Sequence, residues 1–60
     1  MKRVIKLQTD SDSGTIWYQV GYELENGKLQ LGEPQFGGTT RDEAIQAARN
    51  RFGQDYQVIN

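Results

Sequence analysis

The ten residues from Ile16 to Glu25 alternate without a break. Ile16, Tyr18, Val20, Tyr22 and Leu24 fall on one side, and Trp17, Gln19, Gly21, Glu23 and Glu25 on the other. An extended chain sends successive side chains to opposite faces, so this period of two predicts a half-buried β-strand. At helical spacing the same apolar residues would scatter around a cylinder. Asn26-Gly27 follows at once. A type I′ turn needs positive φ at both central residues, which this dipeptide tolerates best. A two-residue loop would set Glu25 against Lys28, Leu24 against Leu29, Glu23 against Gln30 and Tyr22 against Leu31. Each of these pairs is chemically matched, so a hairpin in this register is expected.

The rest of the chain arranges itself around that hairpin. Arg3 to Thr9 also alternates, with Ile5 and Leu7 inward, Lys6 and Gln8 outward, and Val4 falling on the polar side. Asp10-Ser11-Asp12-Ser13-Gly14 reads as a loop. Gly32-Glu33-Pro34 interrupts the third strand, because Pro cannot donate to a ladder. If the register ran on unbroken, Phe36 would lie opposite Trp17 on the outer face; a one-residue bulge would turn it inward. Thr40 to Phe52 is expected to be helical. Thr40 and Glu43 form a capping box, and Ala44, Ile45, Ala48 and Phe52 make one stripe with Ala47 beside it. Gly53 would supply a left-handed C-cap. Gln54 to Ile59 alternates again, with Tyr56 and Val58 on one face, and predicts a short last strand.

These elements predict an α+β fold in one small domain, residues 1–60. The expected architecture is an antiparallel sheet of three to four strands in the order β-β-β-α-β, with one amphipathic helix packed on one face. The core would hold Ile5, Leu7, Ile16, Tyr18, Val20, Tyr22, Leu24, Leu29, Leu31, Ile45, Ala48, Phe52 and Val58. The other sheet face is left uncovered. Sixty residues bury only about 60% of the surface an unfolded chain exposes, so stability must come from close packing, a partner or self-association.

Composition narrows the chemistry. The chain has no Cys and no His, and its formal net charge is −1. Disulfides and Cys/His zinc sites are thereby excluded, as are a His base and a Cys nucleophile. No cofactor or metal is expected. Asp10, Asp12 and Gly14 resemble the start of a calcium loop, but the Gly comes one position early and the twelfth position is Gly21 instead of Glu. Gly37-Gly38-Thr39-Thr40 lacks the Gly spacing and the Lys of a P-loop and reads as a loop with an N-cap. So small a chain has little room for a substrate cleft, and a non-enzymatic role is expected. No apolar run is long enough to span a membrane. Met1 to Leu7 is too short and too charged for a signal peptide. The absence of Cys fits a reducing compartment, and a cytoplasmic location is expected.

Trp17 is the sharpest candidate. Alternation puts it on the polar face with Gln19 and Glu23, and Lys6, Lys28 and Gln30 are expected to share that face. An exposed Trp among polar side chains marks a contact surface; alternatively it packs on Phe36 and extends a small core. The favoured expectation is an interaction module binding a protein partner, or itself, through Trp17, Gln19, Glu23, Lys6, Lys28 and Gln30 and through an edge strand. The alternative is a nucleic-acid binder using the same face, which the net charge disfavours. The hairpin, the third strand and the Thr40-Arg41-Asp42-Glu43-Ala44 helix start resemble the small N-terminal arm-binding domains of tyrosine recombinases over Ile16 to Phe52. That resemblance implies a sheet laid in a DNA groove, with Trp17, Gln19, Lys28 and Gln30 facing it. The strands here are acidic where that family's are basic, and a strand follows the helix.

Overall fold

A computed structural model describes residues 1–59. Its strands are β1 (Lys2–Asp10), β2 (Thr15–Glu23), β3 (Leu29–Leu31), β4 (Gln35–Gly38) and β5 (Gln57–Ile59), with one helix, α1 (Arg41–Phe52), between β4 and β5. They form one sheet in the order β3-β2-β1-β5, and β4 also pairs with β2. The α+β class is as expected, but the sheet is mixed instead of antiparallel. β5 runs parallel to β1, with Val4 against Gln57, Ile5 against Val58 and Lys6 against Ile59. Alternation reports the faces of a strand and carries no information about its direction. The direction follows from the helix: β4 is antiparallel to β2 and therefore parallel to β1, and α1 carries the chain across the sheet to a parallel partner.

β1 and β2 pair in register from Lys2–Glu23 to Asp10–Thr15. Their loop is a tight turn. Gly14, at φ 71, donates its N–H to the Asp10 carbonyl at 2.8 Å, and the Asp12 N–H donates to the Asp10 carboxylate at 3.0 Å.

The β2–β3 register corrects the expected hairpin. Gly21 pairs with Leu31, Tyr22 with Gln30 and Glu23 with Leu29, one residue away from the matched pairs. Gly27 has φ 84, but no other residue from Leu24 to Lys28 has positive φ. A type I′ turn is therefore ruled out. The Leu24 N–H donates to the Lys28 carbonyl at 2.8 Å, and the Gly27 N–H donates to the Leu24 carbonyl at 2.9 Å. Glu25, Asn26 and Gly27 thus make a three-residue loop ending in a left-handed glycine, a type I turn with a G1 bulge. A slip of one residue moves every side chain of the strand to the other face. Leu29 and Leu31, expected in the core, share the outer face with Glu23 and Gly21. Gln30, expected on the outer face, stands beside Tyr22 on the helix side.

The third strand then gains residues. The Gly32 N–H donates to the Val20 carbonyl at 2.8 Å, still in the β3 register. Beyond Glu33-Pro34, Tyr18 pairs with Gln35 and Trp17 with Phe36, so one extra residue has entered. That insertion cancels the slip at the turn and sets Phe36 opposite Trp17 on the outer face. A second irregularity brings Gly38 opposite Ile16. It leaves Gly37 beneath the helix, where an added Cβ would lie 2.5 Å from the Ala44 Cβ. Only glycine lets α1 approach β4 so closely.

The helix face holds the core. Ile5, Tyr18 and Ala48 are buried, with Leu7, Val20, Ala47, Tyr56 and Val58 packed around them. Ala44 is also buried. Phe52 is 41% exposed and meets Tyr18 and Tyr56 edge-on, at ring-centroid distances of 6.2 and 6.4 Å. Tyr22, expected in the core, is exposed. The helix packs on β4, β2 and β1, and β4 lies beside Ile16 to Tyr18, so the Tyr22 end of the hairpin is left uncovered. Val4 departs in the other direction. It points outward beside Gly21 yet is fully buried. A Cβ on Gly21, the cross-strand partner of Val4, would fall 1.8 Å from the Gln30 carbonyl oxygen, so β3 curls over the outer face at this row.

The capping box is present. The Glu43 N–H donates to the Thr40 hydroxyl at 3.2 Å, and Glu43 Oε1 accepts from the Thr40 N–H at 3.1 Å and the Thr39 hydroxyl at 3.0 Å. Hydrogen bonds from the Thr39 side chain first, then from Thr40, hold the Glu43 carboxyl below its ordinary value of 4.5. Gly53 has φ 137 and ψ 164, which is open to glycine but is not the expected left-handed cap; its N–H instead donates to the Arg49 carbonyl at 2.9 Å.

Gly21→Ala is expected to lose about 2 kcal/mol or more, since the β3 backbone must move to admit the methyl. Urea denaturation measures this, and an unchanged midpoint would contradict the curled strand. Thr40→Ala is expected to cost about 1 kcal/mol. A depressed folded-state pKa gives stability that is present above 4.5 and is lost as pH falls through the folded value. The unfolding free energy of the natural chain should therefore fall more steeply across that acid window than that of Glu43→Gln.

Candidate binding surface

The outer face is built in rows across the strands. Phe36, Trp17 and Gln8 form one row, Gln19, Lys6 and Ile59 the next, Leu31, Gly21, Val4 and Gln57 the third, and Leu29, Glu23 and Lys2 the last. Trp17, Gln19, Glu23 and Lys6 are thus brought together as expected. Lys28 and Gln30 are not, because the three-residue turn displaces them. Lys28 pairs with Leu24 at the start of the turn, and its N–H donates to the Asn26 side-chain oxygen at 3.1 Å.

The structure packs Trp17 against Phe36. Trp17 is half-buried and Phe36 is 57% exposed. Their rings meet edge to face, with centroids 5.8 Å apart and planes at 89°. This geometry sets the positive edge of one ring on the negative face of the other. The pair therefore packs on itself and stays open to solvent.

Beside Trp17 lies an open groove of about 470 Å³, lined by Gln8, Thr9, Asp10, Ser11, Trp17 and Pro34. Gln19 is less free than its position suggests, since its Nε2 donates to the Gly32 carbonyl at 3.0 Å and ties β2 to the strand interruption. Asp10 is a wall of the groove, so one carboxylate stands on the Trp17 side of the aromatic pair.

Sequence reasoning missed Leu29, Leu31 and Pro34 as members of this face and left Phe36 open between the outer face and the core. The available signal was Gly21. A glycine in mid-strand marks a bulge or a close backbone approach, and either one breaks a simple register. Among the described residues no group of three or more His, Cys, Asp or Glu side chains is placed to hold a metal ion. No helix among them is long and apolar enough to cross a membrane. The chain matches no protein-family model, no curated protein and no solved structure.

Phe36→Ala is expected to cost no more than about 1.5 kcal/mol, the value of an aromatic pair near the surface. It should also make Trp17 fluorescence more accessible to acrylamide. Tyr18→Ala, in the buried core, should cost about 3 kcal/mol or more. Equal losses from the two substitutions would show that Phe36 belongs to the core.

Proposed function

We propose that this chain is a small, non-enzymatic interaction module that holds a protein partner, or a second copy of itself, on its outer sheet face. The observation that carries this reading is the Trp17–Phe36 pair, packed edge to face with Phe36 open to solvent. A rigid aromatic anchor buries large area at small entropic cost, which is how hot spots form. Leu29 and Leu31 extend the apolar surface along the same face, and Lys6, Glu23 and Gln8 give it a polar surround. The face serves better than the edge. β4 is four residues long, irregular and glycine-rich, and such an edge is a poor template for another strand.

Charge favours protein over nucleic acid. Asp10 lines the groove beside Trp17 and the formal net charge is −1, so a phosphate backbone would meet a carboxylate beside the ring meant to stack its bases. Of the cations of this face, Lys6 lies in the row next to Trp17, and Lys2 pairs across with Glu23 in the last row.

Two experiments test the reading. Sedimentation equilibrium over a range of concentrations separates self-association from a monomer. Peptides selected from a display library on the natural chain should lose binding by at least about tenfold on the Trp17→Ala, Phe36→Ala double variant, which should remain folded by circular dichroism. Ligands bound equally by the double variant would contradict the proposal. So would a monomer that takes no peptide but binds duplex or single-stranded probes with steep salt dependence.

A further inference from the structure

We propose that Asn26 is a site of spontaneous deamidation, held slow by the folded turn, and that its isoaspartyl product dismantles the register that places Leu29 and Leu31 on the outer face. This inference rests on the turn and is independent of what the face binds.

The chemistry needs an Asn followed by a residue with an open backbone nitrogen. Gly27 has no side chain to shield its nitrogen, and both residues are exposed. A base removes the Gly27 amide proton. The nitrogen then attacks Asn26 Cγ, so an N–Cγ bond forms, the Cγ–Nδ2 bond breaks, and ammonia leaves with the proton it needs. Water opens the resulting succinimide. Cleavage between Cγ and nitrogen yields the ordinary aspartyl product. Cleavage between the backbone carbonyl carbon and nitrogen yields isoaspartate, with the main chain routed through Cγ and a free carboxylate on Cα. Either product exchanges NH for O and makes the chain one charge more negative.

The folded turn engages both reacting groups. The Gly27 N–H, whose proton must be lost, donates to the Leu24 carbonyl at 2.9 Å. Asn26 Oδ1 accepts the Lys28 N–H at 3.1 Å, which fixes the side chain toward Lys28. Attack therefore waits on local opening of the turn. The two products then differ. The aspartyl product keeps an oxygen where Oδ1 was and suits the same turn position. Isoaspartate adds a methylene to the main chain between Leu24 and Lys28. A three-residue loop of fixed geometry cannot absorb it while keeping the Leu24–Lys28 and Gly27–Leu24 hydrogen bonds. The register of β3 is set by this loop, so the side chains of Leu29 and Leu31 lose their assignment to the outer face.

The test incubates the folded chain at mildly alkaline pH beside the same chain in urea, and follows both by peptide mapping with fragmentation that distinguishes isoaspartate from aspartate. Modification should fall on Asn26 and spare Asn50, which precedes Arg51. It should run about tenfold slower in the folded chain, the effect expected of two turn hydrogen bonds. Hydrogen exchange on the separated products should show the Leu24 amide still protected in the aspartyl form and unprotected in the isoaspartyl form. The Asn26→Asp variant should keep the protection of the natural chain. Equal rates in buffer and urea would overturn the gating. Modification at Asn50 as fast as at Asn26 would overturn the site, and a protected Leu24 amide in the isoaspartyl chain would overturn the structural consequence.

Discussion

Gly27 occupies a left-handed backbone conformation that Asn26 does not share, and the placement of the third strand follows from that difference. Had both residues taken positive φ, the loop would have two residues, and Leu29 and Leu31 would point at the helix. With Gly27 alone in that region the loop has three, and both leucines point away. The interruption at Glu33-Pro34 then restores the offset in time for Phe36 to meet Trp17. Two local irregularities, each one residue in size, decide which face of a small sheet receives Leu29, Leu31 and Phe36.

Much of this architecture is legible in the sequence. The alternation from Ile16 to Glu25 specifies β2 and its two faces, because one strand needs only its own pattern. Thr40 and Glu43 specify the helix start, since a capping box is a local set of hydrogen bonds. The register of β3 is harder to read. Pairing Leu24 with Leu29 and Glu25 with Lys28 is chemically attractive, but cross-strand pairs contribute only about 0.2–1 kcal/mol each and yield to what surrounds them. At Gly21 the absent side chain gives the β3 backbone room to curl over the outer face. Strand direction was hidden for another reason. The side chains of β5 alternate identically in either sense, and the choice depends on where α1 delivers the chain.

The candidate surface was read in part for the same reasons. Trp17, Gln19, Glu23 and Lys6 lie on β1 and β2, whose faces their own alternation fixes, and they come together. Lys28 and Gln30 lie beyond the turn and inherit its slip. The exposed Val4 suggested by alternation is fully buried, and the buried Leu29 and Leu31 are turned outward. The outer face is therefore more apolar than a count of polar residues along β2 suggests. That shift is what the proposed protein-contact surface rests on, while the Asp10 carboxylate beside Trp17 weighs against a phosphate-bearing ligand.

The most direct measurement is the cross-strand nuclear Overhauser pattern of the hairpin in solution. The structure requires backbone contacts between Glu23 and Leu29 and between Gly21 and Leu31, together with ring contacts between Trp17 and Phe36. Contacts between Leu24 and Leu29 and between Tyr22 and Leu31 would instead return both leucines to the helix side and contradict the extended outer apolar face.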